Sequence, residues 1–299
     1  MDQLPVDFFT NAAAYTPRVY RDQYPAIDPT SPSLNQAGQI VIITGASSGI
    51  GANGIAPAFA KAKAKALVLV ARNGKKLRET EQEIKKIHPA TSVLVQPTDI
   101  TNSDAVVALF EKIRFKYGHV DVLVNNAGTF SHPSRIVDAD PAEWWNDFEV
   151  NVKGQFLVTQ AFLKLLGTER KGTMISMSSA IATSLHPMMS SYSISKMALL
   201  RLNDYVAAEY PNVCAVSLQP GLVMTDMVLD SLKRFAIDTP ALIGGTTVWL
   251  ATDAARFLNG RFISANWSVE DLAAAKEKIL EGNDLQLVYQ GKFGLDQSQ

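Results

Sequence analysis

Ile40-Val41-Ile42-Ile43 is a run of apolar, β-branched residues that stops at a glycine-rich turn. Runs of the same kind return at 67–70, 92–95, 120–124, 173–177, 213–218 and 262–263. The stretches between them suit helices. Over 101–117, Val106, Leu109, Phe110 and Ile113 share one helical face, and Thr101 or Ser103 is placed to cap it. Short apolar strands alternating with helices predict a doubly wound α/β fold of the Rossmann type. It has about seven parallel strands, buried on both faces beneath helices. With 47% hydrophobic and 19% charged residues, the chain can fill such a core.

Residues 1–38 read differently. Pro5, Pro17, Pro25, Pro29 and Pro32 break them up, with Tyr15, Tyr20 and Tyr24 between. This predicts an extended arm packed on the body or on a partner. No linker-like break follows, so the expected organisation is an arm over 1–38, a catalytic domain over 39–266, and an extension over 267–299 packed on the same domain. No repeat of fixed period is visible.

Several classes are disfavoured. A net charge of -1 offers no nucleic-acid surface. The chain starts without a basic, apolar leader, and no run approaches the roughly 18 apolar residues of a membrane span. A soluble cytoplasmic protein is the expectation. The lone Cys214 sits in an apolar run and reads as an inert buried thiol. His88, His119, His132 and His186 have no metal-ligand spacing, so no metal is expected. Asn266-Trp267-Ser268 fits a glycosylation sequon, a tripeptide that arises often by chance.

Thr44-Gly45-Ala46-Ser47-Ser48-Gly49-Ile50-Gly51 follows the first strand directly. Glycines there let the backbone approach a pyrophosphate, and the helix that follows presents free N–H groups to it. The second strand ends Val70-Ala71-Arg72-Asn73. An acidic residue near that point would hold a ribose 2′-hydroxyl. Here Ala71 and then a cation, Arg72, stand instead, which suits a 2′-phosphate and favours NADP(H) over NAD(H). Lys75 and Lys76 add to the positive field.

Tyr192-Ser193-Ile194-Ser195-Lys196 opens a helix, with Tyr192 and Lys196 one turn apart. Bringing a phenol from a pKa of about 10 to about 7 takes roughly 4 kcal/mol. An ammonium about 4 Å away, at an effective dielectric near 20, supplies an interaction of about that size. The expectation is therefore a tyrosine poised for acid–base work by its lysine. Taken alone, such a pair is common on helix surfaces.

Here it is not alone, and over roughly residues 38–266 the sequence resembles the short-chain dehydrogenase/reductase family. The glycine turn 44–51 matches the family signature. So do Asp99 and Ile100 in Thr98-Asp99-Ile100, and Asn126, Ala127 and Gly128 in Asn125-Asn126-Ala127-Gly128. Asn151 stands in Val150-Asn151-Val152-Lys153-Gly154, Ser179 comes thirteen residues before Tyr192, and Pro220-Gly221 is followed by Val223 and Thr225. The resemblance implies a proton moved by Tyr192 and a substrate oxygen held by Ser179. It implies that Lys196 binds the nicotinamide ribose and lowers the phenol, and that Asn151 holds a relay water. It also implies that Asp99 contacts adenine and that the Pro220–Thr225 segment holds the carboxamide. The reaction expected is hydride transfer between a carbonyl and a secondary alcohol. The substrate is a small molecule, and a homo-oligomer, dimer or tetramer, is expected through the helices that follow strands four and five.

Candidate substrate residues are His132, His186, Met188 and Met227, and residues 224–238 are expected to cover an apolar substrate. Trp144 and Trp145 are expected in core or subunit packing. Two departures from the family pattern stand out. The helix after Gly51 carries Gly54 and Pro57 and runs one residue longer than usual before Ala58. The turn Lys63-Ala64-Lys65 has no glycine where relatives often do. Arms and tails of this kind are also seen on fungal members. Isomerisation or dehydration on the same fold, and cofactor sensing without turnover, are the rival readings; an intact Tyr192–Lys196 pair argues against the second.

Overall fold

In the computed structural model, residues 3–290 are described. The last nine residues of the expected C-terminal extension lie outside them. Seven strands form one parallel sheet: β1 (Ile40–Thr44), β2 (Ala66–Ala71), β3 (Ser92–Pro97), β4 (Val122–Asn125), β5 (Gly172–Met177), β6 (Val213–Gln219) and β7 (Arg261–Ser264). Their order is β3-β2-β1-β4-β5-β6-β7. The chain reverses direction across the sheet between β1 and β4, and the crevice opens there, at the carboxyl ends of the strands.

Alternation along β1 assigns the two faces. Val41 and Ile43 join one core cluster, Ile40 and Ile42 the other. The first face is covered by α2 (Ala56–Lys61), α3 (Gly74–Ile87) and α8 (Pro240–Leu250). The second is covered by α4 (Ser103–Tyr117), α6 (Gln155–Leu166) and α7 (Ser190–Glu209). α5 (Pro141–Phe148) precedes α6. Asn102, rather than Thr101 or Ser103, caps α4 by accepting from Ala105 N at 3.0 Å. Thr101 is instead tied to Asp99.

The residue surplus seen before Ala58 has a structural form. Gly51–Ile55 is a π-helical turn, which absorbs one extra residue while the helix continues, and Pro57 then sits in the first turn of α2. Lys63 adopts φ +63°, the left-handed conformation normally left to glycine.

The N-terminal arm is mostly irregular, with one short α-helix, α1 (Phe8–Ala12), and two 3-10 turns, Pro25–Ile27 and Pro32–Leu34. Tyr24, Ile27 and Leu34 join the first-face core. Asn266, in the sequon, is buried, and its Nδ2 donates to Tyr20 O and Asp238 Oδ1. It is closed to glycosylation in the folded chain. Cys214 is buried, and burial pushes its thiol up to about 11. Among the described residues, no helix is long and apolar enough to cross a membrane, and no cluster of His, Cys, Asp or Glu suits a metal ion.

Candidate active site

The turn after β1 is tightly locked to the turn after β4. Thr44 Oγ1 accepts from the N–H groups of both Asn126 and Ala127, each at 3.0 Å. Asn126 Nδ2 returns bonds to Thr44 O at 2.9 Å and Gly45 O at 3.2 Å. At Gly45, φ is +67° and a Cβ would lie 2.8 Å from Asn126 Nδ2. A Cβ on Gly51 would lie 2.3 Å from Gly45 O. Glycines keep this floor low, which is what a pyrophosphate reaching the backbone needs, and the helix that follows begins at Gly49 and Ile50. Ser47, Ser48 and Gly49 carry the turn on into that helix. Thr225 closes over it from the β6 side, its Cγ2 3.5 Å from where a Cβ on Gly49 would sit. The residues present therefore fit a dinucleotide.

Arg72 stands exposed at the end of β2, and its charge reaches Asp99. The Asp99 carboxylate accepts from Thr101 N at 2.9 Å and Thr101 Oγ1 at 2.8 Å, and these bonds hold it below its ordinary range. Ile100 is buried against Gly154, where a Cβ would come within 2.8 Å of its side chain. Pro220, Gly221 and Val223 form the turn after β6, with Gly221 at φ +78°.

The expected catalytic residues converge at the carboxyl ends of β4 and β5. Ser179 follows β5 in extended conformation. Tyr192 and Lys196 lie in the first two turns of α7, and the Lys196 ammonium is 5.6 Å from the phenol ring centroid. Lys196 is buried and donates to Met177 O at 2.8 Å, while Ser178 Oγ donates to Lys196 O. Asn151 lies in a second π-helical segment, Glu149–Gly154, between α5 and α6. Its Oδ1 accepts from Thr129 N, and its Nδ2 donates to Thr129 O and Ser195 Oγ. A Cβ on Gly128 would lie 3.2 Å from both Asn151 Oδ1 and Lys196 Nζ, so the glycine keeps the space between them clear.

The electrostatics differ from the simple pairing of tyrosine with lysine. Burial, then the charge of Asp147, pushes the Tyr192 phenol up to about 12, with the Ser179 hydroxyl pulling the other way. Burial also brings Lys196 down to about 8, against the pull of Asp147. A closed site penalises both charged forms, and the ammonium hydrogen bond goes to Met177 O rather than to the phenol. Taken together, the protein's own groups leave the Tyr192 phenol above its ordinary value.

Asp147 had no place in any motif. It is fully buried on α5 and accepts from Ser131 N, Ser131 Oγ and Ser191 Oγ. Its only sequence signal is the four-residue step to Asn151, which puts both on one helical face. Phe130 is a second addition, packed edge-on against Tyr192 at 5.1 Å between centroids.

The substrate candidates fall into two groups. His132 lines a cavity of about 380 Å³ with Phe130, Ser131, Glu143 and Asn146. His186, Met188 and Met227 are exposed outside that lining, and Met188 O accepts from Ser134 N, joining two loops. Met188 holds φ +71°. Trp144 donates to Ser190 Oγ and stacks on Phe148, whereas Trp145 is 60% exposed.

Residues 39–234 match the short chain dehydrogenase family profile. The chain belongs to that family. It is 36% identical over 289 residues to the short chain dehydrogenase mpl6 of Monascus purpureus, covering 93% of this chain and 98% of that one. It is 32% identical to the short chain dehydrogenase pigC of Monascus ruber, covering 92% and 93%. A short chain dehydrogenase structure from Salmonella enterica superposes with a TM-score of 0.70 at 27% identity, covering 81% of this chain and 99% of that one. A short-chain type dehydrogenase/reductase from Mycobacterium ulcerans gives 0.72 at 25% identity, covering 80% and 91%. This short-chain dehydrogenase resembles fungal members, and it is an oxidoreductase that depends on a nicotinamide cofactor.

Proposed function

We propose that this short-chain dehydrogenase interconverts a carbonyl and a secondary alcohol with NADP(H), and that Tyr192 gives or takes the proton. The reading is carried by one observation: residues from three separate stretches of the chain meet, with Asn151 and Lys196 either side of the space beside Gly128, Lys196 against the Tyr192 ring, and Ser179 hydrogen-bonded to Tyr192. When bound, the nicotinamide would supply the hydride in reduction and accept it in oxidation, and its oxidised form would add a positive charge. In reduction the phenol O–H donates to the carbonyl oxygen as charge develops there, and Ser179 Oγ–H holds the same oxygen. In oxidation the phenol oxygen takes the alcohol proton. Lys196 is held in place by Met177 O, leaving its other two N–H donors for a ribose and the phenol. Asn151 sets the wall of this space through Thr129 and Ser195, and a relay water is assigned beside it.

Thr44, Gly45, Ser47, Ser48, Gly49, Ile50 and Gly51 are assigned to the pyrophosphate. Asp99, Ile100, Asn126, Ala127 and Gly128 are assigned to the adenosine and ribose side, and Pro220, Gly221, Val223 and Thr225 to the carboxamide. Arg72 supports NADP(H), because an exposed guanidinium after β2, with no acidic residue in its place, suits a 2′-phosphate. The substrate is a small molecule with an apolar part, supported by the exposed Met188 before α7 and by Met224 and Met227, exposed in the segment after β6. A homo-oligomer is supported by Phe156 on α6 and Ile194, Met197 and Tyr205 on α7, all exposed.

The test is absorbance of the reduced nicotinamide with a panel of ketones and alcohols, run with both cofactors. Turnover with a strong NADPH preference is expected. A strong NADH preference overturns the assignment of Arg72, and absence of turnover across the panel with both cofactors counts against the reaction class.

A further inference from the structure

Asp238 is a buried carboxylate that the proposed proton chemistry does not use. Its side chain is 1% exposed. Oδ2 accepts from Leu222 N at 2.6 Å, Oδ1 accepts from Asn266 Nδ2 at 2.9 Å, and Arg21 Nε donates to Oδ1. A Cβ on Gly221 would lie 2.4 Å from Oδ2, so the carboxylate presses directly against the turn after β6. Asp238 N also donates to Leu222 O at 3.1 Å, and Val223 bridges to Asp238 in parallel. Residues 222–238 therefore form a loop whose two ends meet at this one side chain. The loop carries Val223, Thr225 and Met227.

Arg21 reaches this neck from the N-terminal arm. Its Nη2 donates to Phe235 O at 2.8 Å, at the end of the short 3-10 helix Asp230–Phe235, and its Nη1 donates to Asp7 Oδ1 at 2.8 Å. One guanidinium thus bonds to the neck, to the far limb of the loop, and to its own arm. A planar fork with several fixed donors can do this, and a lysine ammonium cannot. The arm is anchored on both sides of Arg21. Phe9 packs edge-on against the buried Phe235 at 4.9 Å, Tyr20 and Asn266 exchange backbone and side-chain bonds, and Thr239 N donates to Arg21 O at 2.9 Å. A carboxylate this buried is costly without a cation beside it. Burial pushes Asp238 above its ordinary value, with Leu222 N–H and Arg21 working against the rise.

We infer that Arg21 is a positioning residue for the nicotinamide-binding turn. Through Asp238 it fixes Gly221 and Leu222 and pins the loop 222–238, so the N-terminal arm is a working part of the cofactor site. The inference rests on the reading of Pro220–Thr225 as the carboxamide segment. Arg18 offers a contrast within the same arm: its pairs go to Glu270 and Asp271 in the C-terminal region, not to this loop.

The experiment is calorimetric titration of the full chain with NADP+ and with 2′-phospho-ADP-ribose, which lacks the nicotinamide. Arg21→Gln should weaken NADP+ about tenfold and the shorter ligand less than about twofold, in line with a lost charged hydrogen bond felt at one end only. Arg18→Gln should leave both unchanged. Equal weakening of both ligands by Arg21→Gln, or no weakening, overturns the proposal. Should Arg21→Gln not fold, Arg21→Lys keeps a cation beside Asp238 but gives up the bonds to Phe235 O and Asp7. The same split is expected there, and an equal change in both is again the overturning result. A wild-type chain that binds neither ligand removes the NADP(H) reading on which the test rests, a failure distinct from a missing split.

Discussion

Ser191 Oγ donates a 2.6 Å hydrogen bond to Asp147 Oδ2, one residue before Tyr192. A buried carboxylate is thereby fixed at the start of α7 with hydroxyls and an amide as its partners. Its charge raises both Tyr192 and Lys196. Asp147→Asn should therefore move the pH profile of alcohol oxidation to lower pH, because the phenolate becomes easier to form. The variant should lose about 1–2 kcal/mol of stability, since an amide cannot accept from three donors as a carboxylate does. A profile that stays in place or moves to higher pH contradicts the electrostatic coupling.

Tyr192→Phe removes the proton donor and leaves the ring packed on Phe130. Turnover should fall by about 10²–10⁴-fold, the usual worth of a positioned acid–base. Cofactor affinity, followed by fluorescence of the reduced nicotinamide, should change little. Retention of the full rate would mean that another group moves the proton.

Lys196 gives a pH dependence whose sign can be worked out. Its folded pKa of about 8 lies below the ordinary value of 10.5. Between these limits the unfolded chain holds a proton that the folded chain has lost, so stability from this group rises with pH. It is fully present above 10.5 and is lost as pH falls through about 8. Lys196→Met lacks the dependence. Urea titrations should show the variant gaining on the wild type as pH is lowered from 10.5 to 8, by up to about 3 kcal/mol, at 1.36 kcal/mol per unit. A difference between the two that is flat over that window would refute the depressed lysine.

Lys63 holds a left-handed conformation at an exposed position before β2. Replacing it by glycine relieves about 1–2 kcal/mol of steric cost, less about 0.5–1 kcal/mol of added chain entropy. Lys63→Gly should therefore raise stability by up to about 1.5 kcal/mol, read as a higher denaturation midpoint with unchanged slope. A lower midpoint would show that the side chain has a role beyond its backbone.

Much of the fold could be read locally. The run Ile40–Ile43 needs both faces buried because all four residues are apolar, and a parallel sheet is where such strands go. The glycines at 45 and 51, the serine–tyrosine–lysine spacing and the missing glycine at 63 are likewise local statements about backbone freedom and helical pitch. Even the π-helical turn at Gly51–Ile55 had its trace, as one residue too many.

What the order of residues alone decided, then, is which segments become strands, where the backbone must turn, and which side chains share a helix face, since each follows from neighbours within a few positions. The tertiary structure alone decided the charges. Asp147 acts on Tyr192, and Arg21 meets Asp238 across 217 positions, only because folding brings them together. The direction of the Tyr192 and Lys196 shifts was likewise beyond the sequence. An i, i+4 spacing supplies an attraction, whereas the dominant force on both groups is loss of water, a property of everything packed around them.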